Sequence, residues 1–156
     1  MLVSPMRRTL QTATECFRNH IGGIQWLALE SLREKTGLHP CDCRLPIIEH
    51  RPEFPHVSFD HIESETDPIF HKYDCREPVE DIAGRVQEFF SWLETREERN
   101  ITVVTHSAYL QVMFLNVLDV AYPDGEKFVW FENCEMRSFD VHVPTLKAVP
   151  ISHEIA

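Results

Sequence analysis

The chain has 156 residues, of which 43% are hydrophobic and 26% are charged. This is the length of one domain with its own buried core, and the balance excludes disordered and fibrous classes. The formal net charge of −10 opposes approach to a nucleic acid or an anionic membrane, so we expect neither as a partner.

The five cysteines form an odd set without paired spacing, at positions 16, 41, 43, 75 and 134. This pattern fits reduced thiols better than a secreted disulfide framework. No apolar stretch approaches the length that spans a membrane, and residues 1–5 lack the basic and apolar regions of a signal peptide. We therefore predict a cytoplasmic location.

Helix and strand signals alternate along the chain, which predicts helices packed around a mostly parallel sheet. Ser4 as the N-cap and Pro5 as the first helical residue predict a helix that Gly22 and Gly23 end. Residues 24–29 read as a short apolar strand, and a polar segment follows them.

Residues 45–76 contain four prolines and little periodicity, which predicts a long, irregular insertion over one face of the sheet. Its shape would form the substrate pocket, so the sequence leaves the substrate open.

The clearest helix covers residues 79–93, where apolar side chains recur on one helical stripe. Residues 101–105 are mostly β-branched and predict a strand buried on both faces, with His106 at its carboxyl end. The rest of the chain predicts a helix over 108–118, strands over 127–131 and 136–141, and a poorly specified tail over 144–156.

Two short motifs about a hundred residues apart carry the chemistry. Residues 4–13 read Ser-Pro-Met-Arg-Arg-Thr-Leu-Gln-Thr-Ala, and residues 103–109 read Val-Val-Thr-His-Ser-Ala-Tyr. Each places a cationic or imidazole side chain beside a strand–helix junction, where free backbone N–H groups favour an anion. Together they predict a phosphate pocket that contains Arg8 and His106.

These motifs are similar to signatures of the histidine phosphatase, or phosphoglycerate mutase-like, family. Residues 4–13 resemble its second signature, and residues 103–107 resemble its last one. Leu-Arg-Glu at 32–34 resembles the place of the family's acid, and Pro-Cys-Asp at 40–42 with Arg44 resembles a variant in plant, fungal and protist members.

The resemblance covers residues 1–143 and implies a three-layer α/β/α sandwich, with residues 144–156 as a C-terminal tail. The family's nucleophile belongs to an Arg-His-Gly segment at the end of its first strand, and this sequence contains no such segment. We therefore expect the family's first strand and helix to be missing. An incomplete gene model or fragment is the explanation we favour, over a truncated paralogue and over a second chain that supplies the strand.

The family's reaction forms a phosphohistidine that water later hydrolyses. The resemblance assigns phosphate binding to Arg8, His106 and the backbone N–H of Ser107. It assigns catalysis to His106 and to Glu34, whose carboxyl would protonate the leaving oxygen and needs a raised pKa. The simpler interpretation of Arg8 and Glu34 is that they are exposed charged residues on a helix surface. Glu77 is expected either to interact favourably with the dipole of the next helix or to line the pocket.

Two functions remain open. One is hydrolysis of a small phosphomonoester or phosphoprotein, and the other is a catalytically inactive module that binds phosphate or a phosphorylated partner. We expect hydrolysis rather than mutase activity, although the resemblance covers both.

The sequence also bears on cofactors and assembly. Cys41 and Cys43 lack a second cysteine pair, and the scattered histidines lack helical pairing, so we predict no metal and no cofactor. The oligomeric state stays open.

Overall fold

The computed structural model describes residues 1–37, 39–70, 72–73, 75–123 and 127–151. Its helices are α1 (Arg7–Cys16), α2 (Ile47–Glu53), α3 (Val79–Glu94) and α4 (Ser107–Val112), which continues into a wider turn over Met113–Val117. Its strands are β1 (Leu2–Val3), β2 (Leu27–Ala28), β3 (Val103–Val104), β4 (Asp119–Val120), β5 (Ser138–His142) and β6 (Lys147–Ile151).

The first sheet has the order β2-β1-β3, and all its strands are parallel. Leu2 lies opposite Leu27 on one side and Val103 on the other. Because the strands are parallel, their carboxyl ends meet at one edge of the sheet.

Helices pack on both faces of this sheet. Successive side chains of a strand point to opposite faces, so Leu2 joins a core with residues of α3 and α4, and Val3 joins a second core with residues of α1 and α2. Three layers result, as the sequence predicts.

The second sheet has the order β4-β6-β5, in which β6 is parallel to β4 and antiparallel to β5. Ala148 of β6 is buried in the same core as Leu2. Residues 147–151, expected in a poorly specified tail, are therefore an ordered strand, and residues 152–156 lie outside the described part. β5, which pairs with β6, confirms part of the strand predicted over 136–141. The strand predicted over 127–131 was wrong, because these residues form no strand.

The prediction for the start of α1 was wrong. The helix begins at Arg7, with Met6 as its N-cap residue. Ser4 instead extends the pairing of β1, since its N–H donates to the Val104 carbonyl over 3.0 Å, and its hydroxyl contacts the His106 ring. A serine occupied in this way cannot cap a helix.

The insertion over residues 45–76 is more ordered than its prolines indicate. It contains α2, in which Pro52 lies in the last turn. Ser58 then pairs with β2, because its N–H donates to the Trp26 carbonyl and its carbonyl accepts from the Ala28 N–H, both over 2.9 Å. The prediction of an irregular insertion was therefore wrong for α2 and for Ser58.

The helix predicted over residues 79–93 is confirmed as α3, and it buries Ile82, Val86, Phe89 and Phe90. The strand that leads to His106 is confirmed as β3, but Val103 and Val104 are only half-buried. β3 is an edge of its sheet among the described residues, which explains why it is not buried on both faces. None of the described helices is long and apolar enough to cross a membrane.

Candidate functional site

The candidate site lies where the three strands of the first sheet end. Ser4 follows β1, the turn Glu30–Leu32 leads from β2 to Glu34, and His106 follows β3. The sequence places these residues far apart, and the parallel sheet brings them to one edge, where open α/β sheets bind ligands.

His106 is a buried, neutral imidazole. Only 7% of the residue is exposed, and its Nε2 lies 2.8 Å from the Ser4 hydroxyl oxygen. Burial lowers its pKa to about 3, with further lowering by the charges of Arg8, Arg33 and Arg85. The ring therefore stays uncharged at neutral pH while it lies in a positive field.

Arg8 supplies an exposed cation on the first turn of α1. Its Nη1 donates to the Cys41 carbonyl over 2.8 Å, which ties the guanidinium to the turn Pro40–Asp42. None of the carboxylates in the described ranges forms an ion pair with Arg8. Its charge acts on both His106 and Glu34, so the three side chains share one electrostatic environment.

Glu34 faces the beginning of α4. One oxygen, Oε1, accepts from the Tyr109 N–H over 3.2 Å and from the Lys35 N–H over 2.8 Å. Burial raises the pKa of this carboxyl, although these N–H groups and the charge of Arg8 oppose the rise. Burial therefore makes the Glu34 carboxyl easier to protonate than an exposed glutamate.

Ser107 is the first residue of α4 and follows His106 directly. Its backbone N–H has no partner inside the helix, as for the first residue of any helix. Glu34 takes the Tyr109 N–H of the same turn, so the carboxylate already occupies part of the helix N-terminus.

The loop that carries Glu34 is held by two ion-pair clusters, of which the first surrounds Arg33. The Arg33 guanidinium is 1% exposed and binds both oxygens of Asp67, at 2.6 and 2.7 Å, and Glu30 at 2.8 Å. Arg44, equally buried, contacts Glu30 at 3.2 Å and donates to four backbone carbonyls of residues 45 and 64–66. The insertion is thereby fixed to the loop.

The second cluster pairs Arg85 of α3 with Glu77. Two nitrogens of Arg85 contact the two oxygens of Glu77 at 2.9 and 2.8 Å, and Glu77 also accepts from the Thr36 N–H over 3.0 Å. Arg85 further donates to the carbonyls of Ser31 and Arg33. Glu77 is buried in this ion pair, which is a structural role that the sequence does not predict for it.

Concavity alone does not identify the site. A groove of about 390 Å³ lies at the opposite, amino ends of the strands, lined by Met1, Ile24 and Trp92 among others. Its charged residues Arg96 and Glu98 form an ion pair with each other, whereas Arg8 forms none with the carboxylates of the described residues. No group of three or more His, Cys, Asp or Glu that could hold a metal ion occurs in the part of the chain that the structure describes.

The family described as "Histidine phosphatase superfamily (branch 1)" matches residues 1–148. The chain belongs to this superfamily. Its α/β architecture is accordingly a phosphoglycerate mutase-like fold.

Three curated relatives come from Arabidopsis thaliana. "Phosphoglycerate mutase-like protein 1" is 36% identical, "Phosphoglycerate mutase-like protein 2" is 39% identical, and "Phosphoglycerate mutase-like protein" is 32% identical. Each match covers 88% of this chain and, in the same order, 58%, 43% and 61% of the relative. This histidine phosphatase-family chain thus spans between about two fifths and three fifths of their length, and no solved structure matches it.

The sequence predicts Arg8, Glu34 and His106 as site residues but does not indicate the residues that hold them in place. Ser4 opens the same motif as Arg8, but the motif predicts a helix cap for it and not a contact with His106. No sequence pattern indicates the role of Asp67, because it lies in a segment without periodicity.

Proposed function

We propose that this histidine phosphatase-family chain binds a phosphate monoester at the carboxyl ends of β1, β2 and β3. The observation that supports this most directly is the Arg8 guanidinium, which forms no ion pair with a described carboxylate. Its charge acts on a neutral imidazole and on a carboxyl with a raised pKa. An arginine without a carboxylate partner is suited to bidentate contact with phosphate oxygens, and His106 adds a second donor.

The same arrangement supports hydrolysis as the reaction of the site. Glu34 in its protonated form would donate a proton to the leaving oxygen and, once ionised, would help to activate water. Phosphoryl transfer requires mainly positioning and charge stabilisation, which Arg8, His106 and the Ser107 N–H would provide. In the family's reaction the phosphoryl group is first transferred to the histidine of an Arg-His-Gly segment, which these 156 residues do not contain.

A second candidate function needs only the groups that these 156 residues supply by themselves. Arg8 and His106 would hold phosphate, or a phosphorylated small molecule or protein, without turnover. Both candidates require the same binding site, and they differ only in whether the ester is cleaved.

The test uses Arg8→Ala together with Arg7→Ala. Arg7 is the exposed neighbour of Arg8 on α1 and pairs with Glu53, so its removal causes the same change in net charge away from the site. We expect Arg8→Ala to weaken binding of inorganic phosphate by about tenfold or more, since hydrogen bonds to charged groups contribute about 1.5–3 kcal/mol. Isothermal titration calorimetry measures the binding, and p-nitrophenyl phosphate measures turnover.

The results separate the candidates. Turnover that Arg8→Ala abolishes supports the phosphatase, and phosphate binding without turnover supports the binding module. Equal behaviour of the Arg8→Ala and Arg7→Ala variants would reject the proposed site.

A further inference from the structure

The contact between Ser4 and His106 occupies Nε2 of the imidazole and leaves Nδ1 without a partner among the described residues. Ser4 is fully buried and lies between β1 and α1, and His106 follows the adjacent strand β3. The Ser4 hydroxyl oxygen lies 2.8 Å from Nε2 of the ring. Within the described ranges, this is the single hydrogen bond of the His106 side chain.

A hydrogen-bond count determines the direction of this contact. If Nε2 carried the proton and donated it to Ser4, the serine hydroxyl hydrogen would need another acceptor in a fully buried position. None of the hydrogen bonds of the described residues provides one for it. If the hydroxyl instead donates to Nε2, its hydrogen is satisfied, and the ring proton lies on Nδ1.

The charges around the ring show that it carries only one proton, so protonation of Nδ1 leaves Nε2 free to accept from Ser4. Arg8, Arg33 and Arg85 all oppose a charged imidazolium, so the ring is neutral and carries one proton. A neutral imidazole donates through one nitrogen and accepts through the other. Because Nε2 accepts from Ser4, Nδ1 is the nitrogen that can donate.

We propose that Ser4 is a positioning residue, whose hydroxyl donates to Nε2 of His106 and thereby fixes the proton on Nδ1, where it can be donated to a phosphate oxygen. The use of that proton rests on the proposed phosphate site, whereas the tautomer does not. With the opposite tautomer, Nδ1 would present a lone pair to an anion and repel it.

The test reads the tautomer directly. Histidine labelled at both ring nitrogens is incorporated into the full chain, and nitrogen NMR distinguishes a protonated from an unprotonated ring nitrogen at neutral pH, with His106→Gln to assign the signals. We expect Nδ1 to be protonated and Nε2 unprotonated in the wild-type chain. Ser4→Ala should shift the ring to the opposite tautomer or a mixture, and Ser4→Thr, which keeps the hydroxyl, should restore the wild-type pattern.

A matched control lies near the other end of α1. The Thr14 hydroxyl contacts Nε2 of His56 at 3.1 Å, so Thr14→Val removes a hydroxyl–imidazole contact away from the site. Its spectrum should change at His56 and leave His106 as in the wild type. A second measurement follows the affinity for inorganic phosphate, which Ser4→Ala should weaken by about tenfold through loss of one donor to a charged group.

The two proposals fail in different ways. Protonated Nε2 in the wild-type chain, or an unchanged tautomer in a folded Ser4→Ala variant, overturns the role of Ser4. If Ser4→Ala does not fold, the wild-type spectrum and the Ser4→Thr variant still decide the question. Absence of phosphate binding with the expected tautomer would reject the proposed function and leave the role of Ser4 supported.

Discussion

His106 links the chemistry of the site to the stability of the fold. Its pKa falls from an ordinary 6.5 to about 3, because burial and the nearby guanidinium groups of Arg8, Arg33 and Arg85 disfavour the imidazolium. If the site binds phosphate as we propose, its imidazole is neutral before the anion arrives. A bound phosphate would offset the arginine charges and raise the pKa of the ring.

This shift predicts a loss of stability in acid. The unfolded chain takes up a proton on His106 below its ordinary pKa while the folded chain does not, so the contribution to stability is complete above pH 6.5 and is lost as the pH falls toward 3. Between about pH 7.5 and about pH 5, the loss amounts to about 2 kcal/mol. Urea unfolding at both values should show the wild-type chain losing this much more free energy of unfolding than His106→Gln. An equal loss in both proteins would contradict the buried, neutral ring.

Replacement of Glu34 should have opposite effects on phosphate binding and on catalysis. Glu34→Gln keeps an oxygen that accepts from the Tyr109 and Lys35 N–H groups but removes a negative charge beside the proposed phosphate site. We expect several-fold tighter phosphate binding by calorimetry, no loss of thermal stability, and loss of any turnover of p-nitrophenyl phosphate, since the amide cannot transfer the proton. Glu49→Gln, an exposed change of the same charge on α2, should alter none of these. Weaker phosphate binding by Glu34→Gln would refute this placement of the carboxylate.

At the scale of elements, the turn after β2 is held by charged groups rather than by regular structure. Arg33 and Arg44 are almost completely buried, and Asp67 from the insertion contacts the Arg33 side chain and the Arg44 N–H. Burial alone would raise the pKa of Asp67, but the hydrogen bond from Arg33 and its other partners lower it to about 2. The insertion therefore anchors Glu34 through Arg33, the residue that precedes it in the sequence.

Removal of the Asp67 charge should destabilise the chain strongly. Asp67→Asn leaves two buried arginines with Glu30 as their one carboxylate partner among the described residues, and breaking a buried pair costs about 3–5 kcal/mol. Urea unfolding at neutral pH measures this cost, and amide exchange should rise over residues 30–37 and 39–44. Glu53→Gln, which breaks the exposed pair with Arg7, should cost about 1 kcal/mol or less. Because the carboxylate stabilises above its ordinary pKa of 3.8, the difference between wild type and Asp67→Asn should shrink as the pH falls toward 2.

The success of sequence reasoning differs between elements for physical reasons. α3 is evident because its apolar residues repeat at helical spacing and pack on one core. α2 is hidden because it is short and its burial is shared with a histidine, His50, so no apolar stripe marks it. β6 is hidden because it contains Pro150 and most of its side chains are exposed. Its pairing with β5, and not its sequence pattern, defines it.

The candidate site shows the same division. Arg8, Glu34 and His106 lie in motifs that can be read locally, but their convergence comes from the parallel pairing of β1 with β2 and β3. The contacts that hold them join residues about 30 to 100 positions apart, such as Arg33 with Asp67 and Ser4 with His106. No local pattern encodes a pairing at that separation.

At the scale of the whole molecule, two separate sheets share one hydrophobic core. Leu2 and Leu27 of the first sheet and Ala148 of the second belong to the same buried cluster. Phe114, in the turn after α4, packs against the rings of Phe128, Phe131 and Phe139, with centroids 6.0, 5.7 and 4.6 Å away. The second sheet is thus attached to the helix that follows His106, and we expect both sheets to unfold together.

Phe114 provides the test of this coupling. Phe114→Ala removes a ring that is 8% exposed and should cost about 3–5 kcal/mol, whereas Leu115→Ala, at a side chain that is 56% exposed, should cost much less. If the shared core makes unfolding cooperative, amide exchange in Phe114→Ala should rise by a similar factor in the first sheet and in the β5–β6 hairpin. Exchange that increases in the hairpin alone would show that the second sheet unfolds as an independent unit and that the strands holding Ser4 and His106 do not depend on it.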